Sequence, residues 1–207
     1  MNKNALNRFQ LLIATGNIGK IAELKNSLAD LPIELKSLSD FPFAREVEEN
    51  GKTFAQNAAL KARGYARQTG LRALADDSGL EVAALNGAPG VFSARYAGEK
   101  AADRENVEKL LRAINETGSS NRAARFVCAM AIASDAGDIE FTAEGFCDGT
   151  IIGEPRGANG FGYDPIFIPD EFTETFAELP TSVKLKISHR GRAAAKIIKY
   201  LRDFIAV

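Results

Sequence analysis

The sequence predicts an α/β protein built on a mixed β-sheet, and three observations carry that prediction. Short apolar, strand-like runs alternate with helical segments along the chain. Two longer strand-like runs, Arg125 to Ser134 and Ile139 to Cys147, are separated only by Asp135-Ala136-Gly137-Asp138, a connection that suits an antiparallel hairpin. The end of the chain carries the clearest helical period: Ile187, Gly191, Ala194, Ile198, Leu201 and Ile205 advance by alternating steps of four and three and share one face.

The elements follow in order. Phe9 to Thr15 (FQLLIAT) is a short apolar run fit for a buried strand, and Gly19 to Asp30 reads as a helix with Ile21, Leu24 and Leu28 on one face. Ile33 to Leu38 is a second strand. After the acidic stretch Glu46, Glu48, Glu49, the pair Asn50-Gly51 marks a turn. Thr53 to Gln68 is alanine-rich and helical, and Leu71 to Ala75 is a strand that ends in Asp76-Asp77-Ser78-Gly79. Gly87-Ala88-Pro89-Gly90 interrupts regular structure before a helix over Asp103 to Glu116. Gly153 to Pro165 is a glycine-rich loop, and Ile166 to Ile168 a last short strand. Thr181 or Ser182, after Pro180, is the expected N-cap of the final helix, which places His189 and Arg190 beside its buried stripe.

Composition bounds what this fold does. The 207 residues suit a single domain, with room for two lobes around a cleft, and 45% hydrophobic residues supply a substantial core. The formal net charge is −1, so no global field draws the chain to nucleic acid or to a membrane surface. An anionic substrate must therefore be met by a local cluster of cations. Cys128 and Cys147 are the only cysteines and, with a single histidine in the chain, form no zinc site; both are expected as buried free thiols. No apolar run reaches the roughly 18 residues of a membrane span. Met1 to Gln10 is polar and leads straight into a strand, unlike a secretory signal, so the cytoplasm is the expected compartment.

Five segments carry candidate chemistry. Thr15-Gly16-Asn17-Ile18-Gly19-Lys20 sits where a buried strand hands over to a helix. Helix N-termini present free N–H groups to phosphate, Gly16 and Gly19 allow close approach, and Lys20 adds a full charge. The Walker A pattern is absent, and the segment alone could equally be an ordinary strand-to-helix turn. The acids Glu48-Glu49, in a loop, and Asp76-Asp77, at a strand end, are suited either to solvated turns or to a hard cation and a general base. Gly157 to Pro165 interleaves glycines with Phe161, Tyr163 and Asp164, a composition that can shape a base-binding slot or simply close the core over a turn. His189, the only histidine, lies with Lys184 and Arg190 in the one cationic cluster this near-neutral chain can aim at an anion.

Taken together, these segments resemble the inosine triphosphate pyrophosphatases, which act on non-standard purine nucleotides. The matching stretches are ATGNIGKIAELK, EENGKTFAQNAALKA, ADDSGLEVAALNGAPGVFSARYAG, ARFVCAMA, GFGYDPIF and SHRGRAAAK, in the family's order and spanning about Leu12 to Leu201. The resemblance implies a curved mixed sheet flanked by helices, with two lobes around a central nucleotide cleft, and a homodimer. It implies that Thr15, Gly16, Asn17, Ile18, Gly19 and Lys20 hold the triphosphate and that Ser78 contacts the phosphates. Glu49 and Asp77 would hold Mg²⁺, with Asp77 also the base that activates water. Phe161, Gly162, Tyr163, Asp164, Lys184, His189 and Arg190 would surround the base and sugar. The implied reaction converts inosine, deoxyinosine or xanthosine triphosphate to the monophosphate and pyrophosphate.

Two departures stand out: an Asn2 to Arg8 extension with no assignable role, and Asn159 where a glycine is common. Two rival readings share the same residues. One is a related pyrophosphatase for modified pyrimidine or methylated nucleotides; the other is a silent nucleotide-binding protein, against which Lys20, Glu49 and Asp77 argue.

Overall fold

The computed structural model describes residues 9–206, so the Asn2 to Arg8 extension lies outside the described residues. Six strands form one sheet: β1 (Phe9–Ile13), β2 (Ile33–Ser37), β3 (Ala73–Val82), β4 (Ala123–Ala133), β5 (Ile139–Ile151) and β6 (Phe167–Pro169). Their order is β2-β1-β3-β4-β5-β6. β1 pairs in parallel with β2, Phe9 opposite Ile33, and with β3, Leu12 opposite Ala73. β5 pairs antiparallel with β6, Gly149 opposite Pro169. β4 and β5 are neighbours joined only by Ser134–Asp138, too short for a parallel crossover, so they form the expected hairpin. The sheet is mixed, as the sequence predicts.

Burial follows the side-chain period. In β5, Ala143, Cys147 and Ile151 are buried and the residues between Ala143 and Ile151 alternate with exposed ones, the mark of a one-sided strand. β4 instead buries every residue from Phe126 to Ala133. Gly149 is required where β6 crosses, because an added Cβ would strike Ile168 O and the Phe167 ring.

Among the described residues there are five α-helices: α1 (Ile18–Leu28), α2 (Phe54–Thr69), α3 (Asp103–Glu116), α4 (Thr181–Ile187) and α5 (His189–Ile205). Thr53 caps α2 by accepting the Gln56 N–H at 3.2 Å, and Gly70 ends it in the left-handed conformation at φ +67°. The buried face of α2 carries Phe54, Ala58, Ala62, Tyr65 and Ala66, and among them two polar residues, Asn57 and Lys61.

By packing, the described chain divides into two compact units. The first takes the chain up to Asp77, Ala129–Ala143 and the residues from Ala193 onward; the second takes Ser78–Cys128 and Glu144–Arg192. Leu11, Leu12, Ile13, Leu74 and Leu201 are fully buried in the first. The second has an aromatic core in which Phe126, Phe167 and Phe176 meet, with ring centroids 4.7 Å apart for Phe126–Phe167 and 5.1 Å for Phe167–Phe176.

The structure corrects two expectations. Asp76-Asp77-Ser78-Gly79 is not a strand end: β3 runs through it to Val82. Aspartate and glycine suit strands poorly, but here the carboxylates have lysine partners and the ladder continues through them. The final helix is two helices, and the first has Pro180 at its N-cap position with Thr181 and Ser182 inside it, not capping it. Ser188 is extended, at φ −68° and ψ 157°, and its Oγ accepts the Gly191 N–H at 3.1 Å, capping α5. Gly191 permits the break, since a Cβ there would collide with Leu185 O. The break resets the helical phase, so Ser188, His189 and Arg190 are all buried rather than beside the buried stripe.

Candidate active site

In the first unit, β1 delivers Ala14 and Thr15 buried at its end, and Gly16-Asn17 turns the chain into α1. Asn17 caps that helix: its Oδ1 accepts the Lys20 N–H at 3.0 Å, while its own N–H donates to Thr15 Oγ1 at 3.2 Å. By helix geometry the N–H groups of Ile18 and Gly19 have no acceptor within α1, and Gly16 has open space where a side chain would stand. Lys20 Nζ lies 3.1 Å from Asp76 Oδ2, and Asp76 is fully buried.

The acids converge on a residue that the sequence reading overlooked. Lys61, from the buried face of α2, places Nζ 2.7 Å from Glu49 Oε2 and 3.5 Å from Asp77 Oδ1. Asn57, one turn earlier, donates from Nδ2 to Asp77 Oδ2 at 3.1 Å. Burial pushes the Asp77 carboxyl above the usual carboxylate range; Lys61 and Lys20 oppose the shift without cancelling it. Burial alone would depress the Lys61 ammonium, but Asp77, Asp76 and Glu49 outweigh it and its net shift is upward. Thr15, Gly16, Glu49 and Lys61 line a cavity of about 320 Å³ together with Leu38, Glu46, Val47 and Tyr65.

Glu49, rather than the exposed Glu48, therefore joins Asp77 around one cation. Among the described residues no set of three or more histidines, cysteines or acids gathers as a metal cage. Two carboxylates that already share an ammonium fit a hard divalent ion whose other ligands are phosphate oxygens and water.

In the second unit, the loop before β6 is shaped by glycines at positive φ, Gly160 at +77° and Gly162 at +62°. Asn159 is not among the residues of positive φ, so this departure from the family pattern brings no backbone strain; its N–H donates to Ala177 O at 3.0 Å. Asp164, 3% exposed, accepts the Phe161 N–H at 2.8 Å and the Lys184 ammonium at 2.6 Å through the same Oδ2. A Cβ at Gly160 would overlap that oxygen.

Lys184 Nζ and Arg190 Cζ lie 5.1 Å and 5.6 Å from the Phe161 ring centre, within cation–π range. Arg190 Nη2 also donates to Ser78 Oγ at 2.7 Å. Tyr163 belongs to the aromatic core and donates its hydroxyl to Ser93 O at 2.9 Å, and burial pushes its phenol upward. His189 stacks on Phe126 at 4.6 Å with the rings 7° from parallel. Gly162 N–H is held by Asp103 Oδ2 at 2.7 Å.

The structure thus gathers Thr15 to Lys20 with Glu49 and Asp77 in the first unit. In the second it gathers Ser78, Phe161, Asp164, Lys184 and Arg190, while Tyr163 and His189 anchor the surrounding core. Lys61, Asn57 and Asp103 were missed. For Lys61 and Asn57 a signal existed: two polar residues four apart on a helical face otherwise made of Ala58, Ala62 and Tyr65.

The family model described as the Ham1 family matches residues 11–200. The chain belongs to the Ham1 family. Relatives of this Ham1 protein include a "dITP/XTP pyrophosphatase" of Bacillus cereus, 48% identical over 92% of this chain and 94% of that one. A "dITP/XTP pyrophosphatase" of Syntrophobacter fumaroxidans is 52% identical over 94% of this chain and 81% of its own. Among solved structures, a HAM1 protein from Coxiella burnetii superposes with a TM-score of 0.87 at 45% identity, covering 94% of this chain and 99% of that one. The fold is that of the Ham1 family.

Proposed function

We infer that this protein hydrolyses deaminated purine nucleoside triphosphates, those of inosine, deoxyinosine and xanthosine, to the monophosphate and pyrophosphate, removing them from the nucleotide pool. One observation carries the reading: similarity along nearly the whole chain to proteins named dITP/XTP pyrophosphatases, at 48% and 52% identity.

The chemistry proposed for the site is direct hydrolysis. Water attacks the α-phosphorus, the bond from that phosphorus to the bridging oxygen breaks, and pyrophosphate departs as one unit. Asp77 accepts the water's proton. Its carboxylate is buried, with one oxygen accepting from Asn57 and the other beside Lys61, which fixes it in place for that role. The helix-α1 N–H groups, Lys20 and Lys61 neutralise phosphate charge, the chief demand of phosphoryl transfer. Mg²⁺ held by Glu49 and Asp77 would supply further charge neutralisation on the phosphate oxygens. Cys147 takes no part, because burial pushes its thiol up to about 11 and leaves no usable thiolate.

On the nucleoside side, Phe161 offers a stacking face, with Lys184 and Arg190 beside it. A cationic donor such as Arg190 aimed at the six-oxygen of hypoxanthine or xanthine would face the amino group of adenine as donor against donor. Sites built on such a bond discriminate by roughly 10⁴-fold or more. A homodimer in the cytoplasm completes the proposal. It rests on the family resemblance and on two buried free thiols, and no described helix is long and apolar enough to cross a membrane.

A turnover panel of inosine, xanthosine, adenosine, guanosine and modified pyrimidine triphosphates, with pyrophosphate assayed separately from orthophosphate, tests the reading. Preference for the deaminated purines with pyrophosphate release supports it; preference for a modified pyrimidine would transfer the site to the alternative substrate class.

A further inference from the structure

The hydrogen bonds around Asp77 include one residue whose placement is too constrained to be packing alone. Asn57 is 2% exposed and uses both ends of its amide. Its Oδ1 accepts the Gly51 N–H at 2.8 Å, and its Nδ2 donates to Asp77 Oδ2 at 3.1 Å. A backbone N–H can only donate, so the amide oxygen must face Gly51 and the amide nitrogen must face Asp77. The orientation is fixed by chemistry, with no second choice.

Gly51 is two residues beyond Glu49, on the same loop, and an added Cβ there would meet Asn57 Oδ1 and Gln56 Cβ. The loop is seated directly on the amide. Lys61, one turn further along α2, holds Glu49 and the other Asp77 oxygen. Helix α2 thus grips Asp77 at both oxygens, through a neutral donor on Oδ2 and a cation near Oδ1. Of these two grips, only that of Asn57 is made by a neutral side chain.

We propose that Asn57 is a positioning residue for hydrolysis: its amide holds the Asp77 carboxylate at a fixed rotation relative to the loop that carries Glu49. The proposal rests on the pyrophosphatase reading above, with Asp77 as the base. A base turned away from its water loses rate far more than it loses substrate affinity, because the geometry matters at the reacting atoms.

Two substitutions separate the halves of the amide. Asn57→Asp keeps an acceptor for the Gly51 N–H and removes the donor to Asp77. Asn57→Leu has similar size and removes both. Steady-state kinetics with inosine triphosphate would be measured on wild type and both variants, together with hydrogen exchange at the Gly51 amide by NMR. Both variants are expected to lose at least about 30-fold in kcat with KM changed less than about threefold. Gly51 should stay protected in Asn57→Asp and exchange faster in Asn57→Leu, a difference that activity cannot mimic. If Asn57→Asp kept kcat within threefold, or if both variants lost affinity instead of rate, Asn57 would be a loop anchor only and the proposal overturned. Unchanged kcat in Asn57→Leu overturns it outright. If wild type itself releases no pyrophosphate, the pyrophosphatase reading fails and takes the proposal with it, a result distinct from a variant that keeps wild-type turnover.

Discussion

Arg190 Nη2 donates to Ser78 Oγ at 2.7 Å, joining side chains 112 residues apart in the chain. The same guanidinium lies 5.6 Å from the Phe161 ring centre, so one cation serves both a hydroxyl on β3 and the aromatic of the glycine loop. Arg190→Ala should cost inosine triphosphate turnover about 10²-fold in kcat/KM, and adenosine triphosphate far less, because only the former offers a six-oxygen to a charged donor. Measuring kcat/KM for both nucleotides checks this. An equal fractional loss would assign Arg190 to the phosphates, through its bond to Ser78.

Lys20→Ala should behave in the opposite way. Its ammonium is held at Asp76 beside the capped start of α1, a position suited to phosphate rather than base. The fractional loss in kcat/KM should therefore be equal for inosine and adenosine triphosphates. A selective loss on one of them would move Lys20 out of the phosphate site.

Asp77→Asn should reduce kcat by about 10²-fold or more while the fold survives. The same change takes a counter-charge from Lys61, whose buried ammonium Asp77 helps to hold up, so no gain in Tm is expected. Steady-state turnover of the purified variant checks the prediction, and more than half of wild-type turnover would take the base role from Asp77.

How much of this was legible beforehand depended on what each segment packs against. β1, α1, α2 and α3 announce themselves through local apolar period and caps, and their ends fall within a residue or two of expectation. Asp76-Asp77 looked like a strand end because local propensity says so; Lys20, Lys61 and Asn57, all distant in sequence, are partners that make charged residues tolerable inside β3. The break at Ser188 was hidden by apolar steps that happen to continue across it, and the position of Leu185 O, where a side chain at Gly191 would begin, reveals why glycine permits it. Beyond its place on a buried helical face, Lys61 gives no sign of its role in sequence, since a single sequence does not say which polar residues on such a face have partners.

Cys147 should resist thiol reagents in the folded protein. Burial pushes its thiol up to about 11, so near pH 8 only about one molecule in a thousand carries the thiolate. Alkylation in native buffer should be slow, quicken as pH approaches 11 and become rapid on unfolding. Fast labelling at neutral pH, located at Cys147 by peptide mapping, would contradict the burial described here.

The bond that is broken is read by following the oxygen of the attacking water. Inosine triphosphate would be turned over with Mg²⁺ in isotopically labelled water and the products resolved by phosphorus NMR and mass spectrometry, with a chelator control. Attack at the α-phosphorus puts the label in inosine monophosphate, leaves pyrophosphate unlabelled, and gives no product in chelator. Label in pyrophosphate, release of orthophosphate, or full turnover in chelator would contradict the account.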